Sequence, residues 1–150
     1  MRRQISRRAE SGSAIVEVVW LGILLLIPMV WIVLSVFEVQ RGAFGVTAAA
    51  RAAGRAYALA PDDVSGKQQA TAAAAVAMAD QGLGDGPWRL EVSCGHLADC
   101  HVGGAVITVR IETHVALPFV PDFLGGETAF ALDAEHDVPI GQYQEPGESP

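Results

Sequence analysis

The chain reads as an α+β protein: a long N-terminal transmembrane helix extending into a stalk, a short second helix, and a small antiparallel sheet of about three strands. Three observations carry this. Residues Val18 to Phe37 form twenty consecutive positions without a formal charge, enough to cross a bilayer as a helix. Alanine-rich sequence then runs to Pro61 and resumes over 65–81, which favours helix. Beyond Pro87 the apolar period changes to two, the signature of half-buried strands.

The elements follow in order. Residues 1–12 are a basic leader with no sign of folding. Arg2, Arg3, Arg7 and Arg8 against Glu10 give them a balance of +3, which leaves −10 for the remainder of a chain of net charge −7. The apolar core is longer than the 7–15 residues of a secretory signal, and no small-residue cleavage site follows Phe37. It is therefore expected to be a retained anchor. The helix is expected from about Ala14 to Leu59, with Pro28 loosening it locally and Pro61-Asp62-Asp63 ending it. Residues 13–60 form the span and stalk. An extracytoplasmic α+β head covers 61–141, and a polar, disordered tail covers 142–150.

Within the head, Ser65 to Gln81 is expected to be helical and to close at Gly82, a residue suited to a left-handed cap. The glycine-rich stretch 82–86 follows a helix and so reads as a turn, not a phosphate cradle. Trp88 to Cys94 alternates. Ala105, Ile107, Val109, Ile111, Thr113, Val115 and Leu117 line one face of a long strand, with Thr108, Arg110, Glu112 and His114 on the other. Pro118 to Pro121 breaks it. Glu127 to Pro139 is the third strand, with Phe130 and Leu132 in the core and Asp133, Glu135 and Asp137 on its solvated face.

Charge excludes one class of partner. An acidic body lacks the clustered Lys and Arg that phosphate binding needs, so no nucleic acid is expected. Arginines immediately before a first span hold the N-terminus in the cytoplasm and place the C-terminal body outside, although Arg41, Arg51 and Arg55 follow the span. Cys94 and Cys100 then lie in an oxidising compartment, where a disulfide is favoured. The interleaved His96 and His101 leave a four-ligand metal set open, but their spacing does not match the paired pattern of zinc sites. Neither a cofactor nor a catalytic centre is expected: no Gly-x-Ser-x-Gly elbow and no Walker sequence is present.

The informative acid is Glu17, at the lip of the apolar run and five residues after Gly12. A carboxylate there is costly in hydrocarbon unless it finds a partner; alternatively it snorkels to the interface and caps the helix start. Gly12-Ser13-Ala14-Ile15-Val16-Glu17, the apolar run, Glu38 and the Ala/Arg stretch at 48–56 resemble the TadE-like family, minor pseudopilins of the tight-adherence (Flp) pilus with a type IV pilin-like N-terminus. The resemblance covers residues 11–58 and hardly extends beyond. It implies cleavage after Gly12 by a prepilin peptidase, which makes Ser13 the new N-terminus and leaves Glu17 to neutralise that amine and register the helix among its neighbours. Val18 stands where the family often has an aromatic. The implied partners are the membrane, the peptidase, other pilins and pseudopilins, and the tight-adherence secretion machinery. The competing expectation is an unprocessed signal-anchored binding protein of the cell envelope.

Overall fold

The computed structural model describes residues 6–97, 99–117 and 129–141, with side chains from residue 14 onward. The elements are α1 (Ser6–Ala58), α2 (Asp63–Asp80), β1 (Trp88–Ser93), β2 (Val106–Ala116) and β3 (Ala129–Pro139). The chain divides into two units, residues 1–37 and 38–150. The expected class and element order are therefore present.

Helix α1 begins at Ser6, earlier than the sequence reading from about Ala14. Arg7, Arg8, Ala9 and Glu10 are strong helix formers, so the second half of the leader propagates the helix instead of leaving it at the apolar edge. Pro28 lies inside α1 and does not end it. Pro61 follows its C-terminus, and Asp62 restarts the chain. In an extended conformation, Asp62 accepts hydrogen bonds from the Val64 and Ser65 amides, both at 2.9 Å. That cap explains why α2 starts at Asp63 and not at Ser65. At the other end Gly82 adopts φ 70°; its amide donates to Ala79 O and the Leu83 amide to Met78 O. This is a Schellman closure, with Leu83 and Met78 packed as its apolar pair.

The two helices form a hairpin within the second unit. Gly66 packs against the Tyr57 ring at one end, and Gly45 meets Leu83 and Gln81 at the other. There Arg41 Nε donates to Gln81 O at 2.8 Å, which places a cation on the last carbonyls of α2. The buried positions of α2 are Gly66, Ala70, Ala74 and Met78, a strict four-residue stripe. Its Ala70, Ala74 and Met78 join the common core.

The sheet order is β1-β2-β3, all antiparallel. The expected face is buried along β2: Ala105, just before the strand, and Ile107, Val109, Ile111 and Thr113 are at most 2 % exposed and Val115 is 7 % exposed, while Leu117, just past the strand, is half-buried. Thr113 satisfies its hydroxyl by donating to Pro87 O at 3.0 Å. Val46, Ala49, Ala50, Ala53 and Tyr57 of α1 and the α2 stripe complete one core with this face. The helices thus cover one side of the sheet. Gly42 meets Leu132 and Val115, and Gly54 meets Val138, His136 and Val109, so this part of α1 runs alongside β3 in the same direction.

One expectation is corrected. Phe130 lies on the core face opposite Val115 but is 49 % exposed, while Leu132 is half-buried. β2, the central strand, has a neighbour on each side. Among the described residues β3 has a neighbour on one side only, and Phe130 sits near its start. The expected interruption at Pro118–Pro121, the expected first strand residues 127 and 128, and the expected tail 142–150 lie outside the described residues.

Candidate functional site

Two regions hold the residues singled out from sequence. The first is the N-terminal part of α1. Every described side chain from Ala14 to Val30 is exposed, including Ile15, Val18, Trp20, Leu24 and Met29. A helix apolar on all sides is stable only where something other than water surrounds it. Its segment Ala14–Ala58 is long and apolar enough to cross a membrane, with a mean hydropathy of 2.6 over its most apolar 18-residue window. This is compatible with a membrane anchor, and a signal sequence meets the same criterion. Glu17 is exposed on this helix. The backbone of Gly12 and Ser13 is helical in α1, which puts Ser13 and Glu17 four residues apart along one face. The side chain of Ser13 is outside the described set.

The second region is built around the cysteines. Cys94 and Cys100 form a disulfide, with Cα atoms 5.4 Å apart. It closes the loop between β1 and β2 just before His101. A ring this short contributes about 2 kcal/mol by restricting the unfolded chain. Both sulfurs are committed to each other, so the four-ligand metal set with His96 and His101 is replaced by the disulfide. His96 is exposed. His101 instead reaches the corner between the helices.

There the imidazole of His101 is held at both nitrogens. Nδ1 lies 2.7 Å from Asp63 Oδ1, and Nε2 lies 3.0 Å from the Tyr57 carbonyl oxygen. The ring also stacks on the Tyr57 ring, with centroids 5.2 Å apart and planes 18° from parallel. A carboxylate and a carbonyl can only accept, so both contacts are hydrogen bonds together when the imidazole carries two protons. The neutral ring can donate to one of them alone. Tyr57 OH donates to Asp63 Oδ1 at 3.0 Å, and the Cys100 amide points at Asp63 Oδ2 at 3.5 Å.

The charges respond to this packing. Burial pushes the Tyr57 hydroxyl up, the Asp63 contact pushes it further, and it reaches about 12 from 10.0. For Asp63, burial acts upward, but hydrogen bonds from His101, Tyr57 and Cys100 outweigh it and hold the carboxyl below its usual range. Asp62 is held low chiefly by the Ser65 amide and hydroxyl.

Asp63, Asp99 and His101 have potential ligand atoms within 4.8 Å of one another. Their geometry is accounted for without an ion. His101 Nδ1 is engaged by Asp63, and Asp99 Oδ1 accepts from the His101 amide at 2.8 Å. The arrangement is a latch: it ties the disulfide loop to the last turn of α1 and the first turn of α2.

The sequence reading paired the cysteines but missed the roles of Tyr57 and Asp63, because nothing local marks contacts across 44 and 38 residues. The one available signal was the second aspartate of Asp62-Asp63, more than a single N-cap requires. His114 sits on the solvent face of β2 and His136 on the inner face of β3, as ordinary strand residues. No protein family, curated protein or solved structure matches this chain.

Proposed function

We propose that this protein is a TadE-like minor pseudopilin: a single-pass membrane protein that takes part in assembling a tight-adherence (Flp-type) pilus. Its role is structural and not enzymatic. The observation that carries the reading is the fully exposed apolar stretch of α1 with Glu17 at its start. The basic leader holds the N-terminus in the cytoplasm and the α+β body lies outside, where Cys94 and Cys100 stay oxidised.

The chemistry is that of a protease substrate. The aspartyl prepilin peptidase needs extended backbone at its scissile bond, whereas Gly12-Ser13 sits within α1. Glycine there lowers the cost of unwinding, since it weakens a helix by about 1 kcal/mol relative to alanine, and it presents no Cβ to a narrow cleft. Cleavage removes four arginines and creates an α-amino group on Ser13. One helical turn away, Glu17 pairs with that ammonium or with one on a neighbouring subunit. A carboxylate left alone at the centre of a bilayer costs about 2.5–3.5 kcal/mol on insertion scales, so pairing favours helices in register.

The test is the mature N-terminus of the protein isolated from its native membrane. A start at Ser13, abolished by Gly12→Ala, supports the proposal. An intact Met1 terminus in cells with an active prepilin peptidase refutes it and favours the unprocessed, signal-anchored binding protein.

A further inference from the structure

Among the described residues β3 is one of the two edge strands of the sheet, and its outer side is an organised surface. Ile140, in register with Ala105, turns both backbone groups toward β2: its amide donates to Ala105 O at 2.8 Å and its carbonyl accepts from Gly104 at 3.2 Å. The β2–β3 register runs without interruption from Ala129 to Pro139, and backbone direction alternates along an antiparallel ladder. Asp133, Glu135 and Asp137 therefore present their N–H and C=O groups to the open side. Pro139, the next such position, has no N–H to leave unpaired. Among the described residues no strand pairs with this edge.

Beside the edge lies a groove of about 590 Å³ between α1 and the end of β3. Its floor is apolar, with Ala52, Ala58, Leu59 and Val138, and its helix wall carries Arg51 and Arg55. Both arginines are exposed, and neither has an ion-pair partner among the described residues. Four residues apart, they project from one helix face with Cβ atoms about 5–6 Å apart. That matches the spacing of alternate side chains on a strand, about 6.6 Å. On the opposite face of the sheet the same edge carries Asp133, Glu135 and Asp137.

We infer that the open edge of β3 together with Arg51 and Arg55 is a docking surface for an extended polypeptide segment, acidic on the face toward α1 and basic on the other. Such a segment adds a fourth strand by main-chain hydrogen bonds, while the two rows of charge set its register and orientation. The same pattern rejects a second copy of the chain. Antiparallel pairing of two β3 edges sets acid against acid, which is destabilising for directly opposed strand residues. A lone Pro and a row of acids protect an edge from self-association; the arginine pair across the groove adds a specific attraction. The inference does not depend on N-terminal processing.

The experiment titrates the detergent-solubilised full chain, isotopically labelled, with acetyl-(Glu-Lys)4-amide. A block peptide of four glutamates followed by four lysines serves as the control of equal composition. Saturable shifts of the Asp133, Glu135 and Asp137 amides with the alternating peptide are expected. Binding should be at least tenfold weaker for the block peptide and for the Arg51→Glu, Arg55→Glu double variant. Should that variant not fold, Glu135→Lys tests the other charged row and should weaken binding as well. Equal affinity for the two peptides, no shift of the edge amides at millimolar peptide, or undiminished binding by the variants overturns the inference. So does a response of the same amides to phosphatidylglycerol bicelles alone, which assigns the arginines to an anionic lipid surface.

Discussion

Replacing His101 by alanine should open the disulfide loop without unfolding the sheet. When its ring carries both protons, the side chain makes one hydrogen bond to a carboxylate at 2.7 Å and one to a backbone carbonyl at 3.0 Å, and it stacks on Tyr57. A bond to a charged group contributes about 1.5–3 kcal/mol and a neutral one about 1 kcal/mol. His101 is 12 % exposed, but Asp63 is 33 % exposed, so water replaces part of the carboxylate's loss and the lower end of the first range applies. The total is about 3 kcal/mol. If local opening of the loop is governed by this latch, amide exchange at Cys100 and His101 should quicken about 100-fold, at 1.36 kcal/mol per decade. Amides of Val109 and Ile111, in the buried centre of β2, should keep their protection. Hydrogen exchange of the detergent-solubilised full chain reads both at once. His101→Gln, whose two donors share one nitrogen in place of two separate ring nitrogens, should fall between. Unchanged exchange at residues 100 and 101 would refute the latch. An equal rise at Val109 and Ile111 would show that His101 supports the whole fold and not one loop.

Other perturbations test the packing and the charges around it. A Cβ on Gly42 would lie 2.5 Å from Leu132 Cδ1 and 2.8 Å from Val115 Cγ2. Overpacking costs about 1–3 kcal/mol, and the alanine regains about 1 kcal/mol of helix propensity. Gly42→Ala should therefore lower stability by about 1 kcal/mol in denaturant titration, and adding Leu132→Ala should shrink that increment. In the unfolded chain Tyr57 ionises near 10.0, and in the fold near 12; its contribution to stability is fully present below pH 10 and declines as pH rises to about 12. Tyr57→Phe should cost about 1 kcal/mol at neutral pH and remove its share of that alkaline decline. Asp63 works in the opposite sense. Its folded value is depressed, so its contribution is present above the unfolded value of 3.8 and is lost as pH falls through the lower folded one. Asp63→Asn should flatten that acid limb in a pH series of thermal midpoints.

Much of the architecture was legible because it rests on local chemistry. The run from Val18 to Phe37 needs no tertiary context to be apolar, and the alternation from Ala105 to Leu117 marks its buried face by period alone. Gly82 was assigned as a left-handed cap from its place after an alanine-rich stretch, and it adopts φ 70° there. Helix starts were less legible. α1 begins at Ser6 and α2 at Asp63, because propensity in the leader and a side-chain cap at Asp62 extend each helix past the edge of its apolar pattern. Phe130 shows another limit. Alternation gives the face a residue lies on, but not whether its strand sits at the centre or edge of the sheet.

Composition and spacing along the chain were enough to predict the α+β class, the element order and the apolar N-terminal helix. Each depends on neighbours within a turn or a strand, where geometry is nearly invariant. Only the tertiary structure brought Tyr57, Asp63 and His101 into one latch and set Arg51 and Arg55 beside the outer edge of β3. The contacts of His101 with Asp63 and Tyr57, and the groove between α1 and β3, join residues dozens of positions apart. They exist because α1 packs along β2 and β3 through glycines at 42 and 54, a close approach that no local pattern announces.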